Sequence, residues 1–201
     1  MIGPPLPRDR MCFGRALNNP VRRWVAPPRR EVEALGVSEG ETVADLGAGV
    51  GYFARELLRQ LGPTGRLVLV DIDAENLEVA RRLFENDPRV RLLVGSAAAV
   101  SDIGDGSVDR ALMSLVLCCM VDKEGALAEV WRILRPGGRL LVTYPRGRFV
   151  SVRRGPSLRV SPPRWAKLVA QRPWLVEPVR RGRIVRRHLL SKPWPPAERC
   201  G

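Results

Sequence analysis

Val43-Ala44-Asp45-Leu46-Gly47-Ala48-Gly49-Val50-Gly51 decides how this 201-residue chain folds. A short apolar run closing on an acid passes into three glycines at alternate positions, and Tyr52 to Leu58 follow with helical spacing. Strand, tight bend and helix are thereby joined. Glycines at 47, 49 and 51 let the chain turn sharply and bring bare backbone against a ligand, where a Cβ would collide. The helix behind the bend directs free N–H groups into the same space. A second acid, Asp71, follows the next apolar run, Arg66-Leu67-Val68-Leu69-Val70, 20 positions beyond Gly51. A carboxylate there suits a ribose diol, which presents two donors side by side.

A dinucleotide loop reads G-x-G-x-x-G/A, with a small third residue where helix and strand pack closely. Counted from Gly47, that position holds Tyr52, which is too large, and glycine falls at 51 instead. Taken alone, the triplet fits a ligand loop and a simple tight turn equally well. Further features in register favour the ligand loop. They are Asp71 after the second apolar run, the turn Gly95-Ser96-Ala97, the opening Val108-Asp109, and Leu134-Arg135-Pro136-Gly137-Gly138-Arg139-Leu140-Leu141-Val142.

With these residues in place the chain resembles the class I S-adenosylmethionine (SAM)-dependent methyltransferases. It is most similar to the group that includes the ubiquinone/menaquinone-biosynthesis type and many small-molecule methyltransferases. The resemblance is strong from about residue 20 to about residue 145 and looser beyond, and its motifs are specific for the superfamily, not for a substrate. It implies that Asp45, Gly47, Ala48, Gly49 and Gly51 hold the methionine end of SAM, that Asp71 binds the ribose hydroxyls, and that Ile72 packs on the adenine. Ser96, with Ala97 beside it, falls where the family usually places an Asp against the adenine amino group; serine accepts the same bond without a charge and more weakly. Where the family often has a His near the end of the fourth strand, this chain has Cys118-Cys119.

The length suits one domain with a substantial core. We expect residues 1–30 to form a lid or cap and residues 31–201 the methyltransferase domain. No run of about 18 apolar residues marks a membrane span, and the proline-rich start has no continuous apolar segment of the signal-peptide kind, so a cytoplasmic location is expected. Cysteines 12, 118, 119 and 200 show no metal-type pairing, so no metal is expected, and the pair at 118–119 reads as structural thiols in a reducing compartment.

Charge is spread unevenly. Residues 1–30 carry 7 basic and 1 acidic side chains, residues 146–201 carry 15 and 2, and residues 31–145 carry 12 and 18. Flanks of +19 around a core of −6 fit an acidic partner such as nucleic acid, an anionic membrane surface or an anionic substrate. They fit equally an arginine-rich composition, with 31 Arg against 3 Lys. Few aromatics interleave the basic residues, which disfavours a dedicated single-strand reader.

Along the chain the spacing predicts helices over 29–35, 51–61, 73–86 and from Asp122 to Leu134, and strands over 42–46, 66–70, 89–94, 108–117 and 139–144. A helix from Ser161 and strands over 175–179 and 184–190 complete the pattern. Strands alternating with amphipathic helices predict an α/β, Rossmann-like, doubly wound sheet that is mainly parallel. From the resemblance it should have seven strands and end in an antiparallel C-terminal hairpin.

Ligands of such sheets bind outside the carboxyl ends of the strands. The acceptor is therefore expected over Cys118–Val121 and Tyr144–Phe149, with Met11 to Trp24 as the lid and Arg146 and Arg148 at the mouth, suggesting an anionic acceptor. Tyr144 could orient that acceptor or simply close the core. The single histidine, His188, reads as structural or surface, and Asp122 as a helix cap. The leading expectation is methyl transfer to a small molecule, anionic or lipid-like. The alternative is an RNA or protein acceptor held by the basic flanks, and a non-catalytic SAM-binding module is disfavoured by the intact Asp45, glycines and Asp71. Oligomeric state is not legible.

Overall fold

The computed structural model describes residues 26–145, 160–180 and 185–195. Seven strands form one sheet in the order β3-β2-β1-β4-β5-β7-β6. They are β1 (Thr42–Leu46), β2 (Arg66–Asp71), β3 (Val90–Val94), β4 (Val108–Ser114), β5 (Leu134–Pro145), β6 (Leu175–Glu177) and β7 (Val185–Ser191). β1 to β5 pair in parallel, and β7 lies antiparallel between β5 and β6. This is the expected doubly wound architecture with its C-terminal hairpin. The strand order reverses between β1 and β4, where an open α/β sheet forms its ligand crevice.

Among the described residues five helices cover the sheet: α1 (Pro28–Leu35), α2 (Ala54–Leu61), α3 (Ala74–Phe84), α4 (Lys123–Ile133) and α5 (Pro162–Val169). On one face Val32, Leu35, Leu57, Leu61 and Leu77 pack with Val43, Leu67, Leu69, Leu112 and Leu141. On the other, Ala126, Leu127, Val130, Trp165 and Leu168 pack with Ala44, Leu46, Val70, Met113 and Val142. Neighbouring strand residues thus enter opposite cores, which is why the central strands read as unbroken apolar runs. α1 is fastened to β7 by Arg187, whose Nε lies 3.0 and 2.9 Å from the two carboxylate oxygens of Glu31. Both side chains are buried.

Several boundaries differ from the expected ones. β4 stops at Ser114 because Leu115 takes a left-handed φ of 60°. The apolar run continues as a turn in which Leu115 and Val116 are half-buried and Leu117 is buried. α2 begins at Ala54, not 51, because residues 50–53 belong to the bend. Leu83 is 50% exposed: it lies about 120° round α3 from Leu77, off the buried stripe. Trp131 is only half-buried, resting edge-on against Trp174 with ring centroids 4.8 Å apart. β5 starts at Leu134, but its register slips between Val108↔Leu134 and Arg110↔Arg139. The residues Arg135-Pro136-Gly137-Gly138 are thereby thrown out of the ladder, so the expected break is a bulge within one strand. β6 ends at Glu177, shorter than expected. At the N-terminal side Ala26 is already fully buried, so the described fold reaches back past residue 31.

Candidate functional site

β1 delivers Asp45, buried, to the penultimate position of its strand. The N–H groups of Gly47 and Ala48 both donate to Val70 O, at 2.8 and 2.9 Å, tying the bend to the end of β2. Gly47, Gly49 and Gly51 have φ of 84°, 57° and 77°. At Gly47 a Cβ would lie 2.4 Å from Val116 Cγ2, so no side chain fits. Over Gly49 the situation is opposite: among the described residues nothing lies within 4 Å of a Cβ position. One glycine admits a neighbour, the next keeps a space open.

Asp71 closes this space. Its Oδ2 accepts from Gly49 N–H at 2.7 Å and its Oδ1 from Asp73 N–H at 2.9 Å, so the bend and the acid at the end of β2 form one cradle. A carboxylate has about four lone-pair sites, and each oxygen keeps acceptor capacity for a diol. Burial pushes the Asp71 pKa up, while N–H bonds from Asp73, Gly49 and Ile72 act against it. The neighbouring Ile72 is 46% exposed, an apolar surface at the rim. Gly95 N–H donates to Asp71 O at 2.9 Å, drawing the loop after β3 to the same edge. There Ser96 Oγ accepts from Ala98 N–H at 3.2 Å. Ala48 and Ala97 are buried in the two cores, so neither methyl lines the open face.

The nine expected cofactor positions therefore gather at the carboxyl ends of β1, β2 and β3. The open face at Gly49 and the remaining acceptor capacity of Asp71 leave room there for a diol-bearing ligand.

The acceptor side is different in kind. Ser114 and Thr143 share a buried hydroxyl hydrogen bond of 2.9 Å between β4 and β5. Leu115 follows in its left-handed conformation, a strain of about 1–3 kcal/mol for a non-glycine residue. Cys118 Sγ donates to Leu115 O at 3.4 Å. Cys118 is a free thiol whose pKa burial pushes up to about 11, a poor nucleophile. Cys119 Sγ lies 3.8 Å from Cys118 Sγ. Lys123 is buried beside them and donates to Met120 O.

Tyr144 is 2% exposed. Its hydroxyl shares a 2.9 Å hydrogen bond with His188 Nε2, and Trp165 lies 4.3 Å from the His188 ring. Burial pushes Tyr144 up to about 12. Burial, with Arg186 nearby, pushes His188 down to about 4. Of the two roles open to Tyr144, this geometry favours closing the core. Arg146, Arg148 and Met11 to Trp24 lie outside the described residues. Among the described residues no group of three or more His, Cys, Asp or Glu could hold a metal, and no helix is long and apolar enough to cross a membrane.

Sequence reasoning missed the Leu115–Val116 turn, the burial of Lys123 and the pairing of Tyr144 with His188. No local signal marks the first, since leucine is rarely left-handed. The last joins residues 44 apart and depends on the pairing of β5 with β7.

Residues 44–142 match the family described as "Methyltransferase domain". An uncharacterized 37.1 kDa protein in transposon TN4556 of Streptomyces fradiae is 40% identical over 114 residues, 57% of this chain and 33% of that protein. The ubiquinone/menaquinone biosynthesis C-methyltransferase UbiE of Enterobacter sp. (strain 638) is 37% identical over 136 residues, 67% of this chain and 51% of that protein. The chain thus spans about a third to a half of the curated relatives it matches. In fold it is similar to a SAM dependent methyltransferase from Aquifex aeolicus, with a TM-score of 0.75 over 87% of this chain and 94% of that one, at 20% identity. The glycine bend, its bond to Asp71 and the matched stretch agree: through residues 44–142 this chain belongs to the class I SAM-dependent methyltransferase superfamily.

Proposed function

We propose that the chain binds SAM over Gly49 and transfers its methyl group to a small-molecule acceptor. The observation that carries this is the 2.7 Å bond from Gly49 N–H to Asp71 beside an open face, in a chain of this family. When bound, SAM supplies a methyl group on a cationic sulfur whose departure leaves a neutral thioether. The chain's own part is to hold and aim. Asp71 grips the ribose, Ile72 covers one face of the base, and Ser96 accepts from its amino group. Positioning of this kind supplies about 7–11 kcal/mol without a strong acid or base, which suits an edge whose Tyr144 and His188 are bonded to one another. The relatives named as C-methyltransferases favour a carbon acceptor, and Arg146 and Arg148 favour an anionic one.

The test is methyl-labelled SAM incubated with the protein and fractionated cell extract. Label in the small-molecule pool is the expected result. The +19 carried by the flanks favours a second reading, an RNA or protein acceptor, and label confined to those pools would replace the first with it.

A further inference from the structure

Leu115 is the one non-glycine residue with positive φ among the described residues, and it stands at the carboxyl end of β4, beside the cofactor cradle. Its conformation is held from both sides. Leu115 N–H donates to Thr143 O at 2.9 Å, so the turn hangs from β5. Its carbonyl accepts from Cys118 Sγ, and Cys119 N–H donates to Val116 O at 2.8 Å. The turn has a specific consequence. It ends the pleat and carries Val116 onto Gly47, where Cγ2 and Cβ would stand 2.4 and 2.6 Å from a Cβ. Gly49, two residues on, is left open. The cradle therefore has a hard wall on its β4 side and free space on its β2 side.

We propose that Val116, set by the left-handed Leu115, is a positioning residue. It walls the cradle at the sulfur end of the ligand and confines the methyl group to one direction, toward the acceptor. The wall is apolar, as suits a cationic sulfur that must not be met by a competing nucleophile. This rests on the SAM reading above. It adds that the β4 side discriminates at the amino-acid and sulfur end, whereas Asp71 at β2 discriminates at the nucleoside.

The test is calorimetry of the full chain with three probes: SAM, S-adenosylhomocysteine and adenosine. Val116→Ala should weaken S-adenosylhomocysteine by about tenfold or more, the scale set by missing methyl groups in an apolar pocket, and leave adenosine within about twofold. Leu115→Val, a β-branched residue ill suited to positive φ, should do the same, while Leu115→Gly keeps the turn and the wild-type affinities. Gly47→Ala should abolish S-adenosylhomocysteine binding, and adding Val116→Gly should restore part of it. Equal losses for adenosine and S-adenosylhomocysteine would mean general damage to the fold and would overturn the proposal. So would wild-type affinities in Val116→Ala, or additive effects in the Gly47/Val116 pair. Wild-type protein that binds neither SAM nor S-adenosylhomocysteine would instead remove the cofactor reading itself. Melting temperatures of each variant separate lost binding from lost folding.

Discussion

The two sides of the sheet's carboxyl edge are made of different material. On the β1–β3 side the site is backbone: N–H groups of Gly47, Gly49 and Asp73, with one carboxylate, Asp71, to receive two of them. On the β4–β5–β7 side it is side chain packed on side chain, Ser114 on Thr143 and Tyr144 on His188 under Trp165, and Val116 from this side lies against the bare backbone of Gly47. A backbone cradle needs particular residues only where the chain must bend or a Cβ would intrude. It tolerates little variation and recurs across many chemistries. A wall of interlocking side chains can be recut residue by residue.

If that division holds, changes on the β7 side should cost stability and spare nucleoside binding, and changes in the cradle should do the reverse. The largest effect is expected at the Glu31–Arg187 pair. Glu31→Ala leaves a buried guanidinium without its partner and should cost about 3–5 kcal/mol of folding free energy, read by urea denaturation, with S-adenosylhomocysteine affinity little changed in the folded fraction. Asp71→Ala should show the opposite pattern. With the ribose on Asp71 as proposed, losing its charge-assisted bonds should weaken S-adenosylhomocysteine by about a hundredfold or more, with a cooperative unfolding transition retained.

A smaller and pH-dependent effect is expected at His188. Its folded pKa is pushed down to about 4 by burial and by Arg186, from an ordinary value of 6.5. The unfolded chain therefore binds the proton first. The stability His188 contributes is complete above pH 6.5 and is lost as pH falls from 6.5 toward 4. Denaturation midpoints measured across that range should fall more steeply for the wild type than for His188→Gln. The smallest effect belongs to the cap of α3, where Asp73 Oδ1 accepts from Glu75 and Asn76 N–H. Asp73→Ala should cost about 1 kcal/mol and leave the Asp73 N–H bond to Asp71 in place. A loss of ligand affinity larger than the loss of stability there would blur the division.

The same contrast explains what could be read from residues alone. The cradle was legible because glycine at 47, 49 and 51 and an acid at 71 are backbone requirements written into residue type. The seven strands and the closing antiparallel hairpin followed from the family that those residues indicate. The end of β4 was not legible: Leu115 and Leu117 look like strand because apolarity reports burial, and Leu117 is indeed fully buried, but in a turn. Tyr144 and His188 meet only through the antiparallel pairing Val142↔His188, which no local pattern announces. The bulge at Arg135-Pro136-Gly137-Gly138 was visible as a break, because proline and two glycines interrupt any regular element, but not as an interruption inside one strand.

The most direct test of the central claim is calorimetric titration of the unmodified chain with S-adenosylhomocysteine, repeated with Asp71→Ala. The expected result is saturable one-to-one binding by the former and a loss of about a hundredfold or more in the latter. Absence of binding by the unmodified chain, or equal binding by both proteins, would contradict a nucleoside held between the 47–51 bend and Asp71.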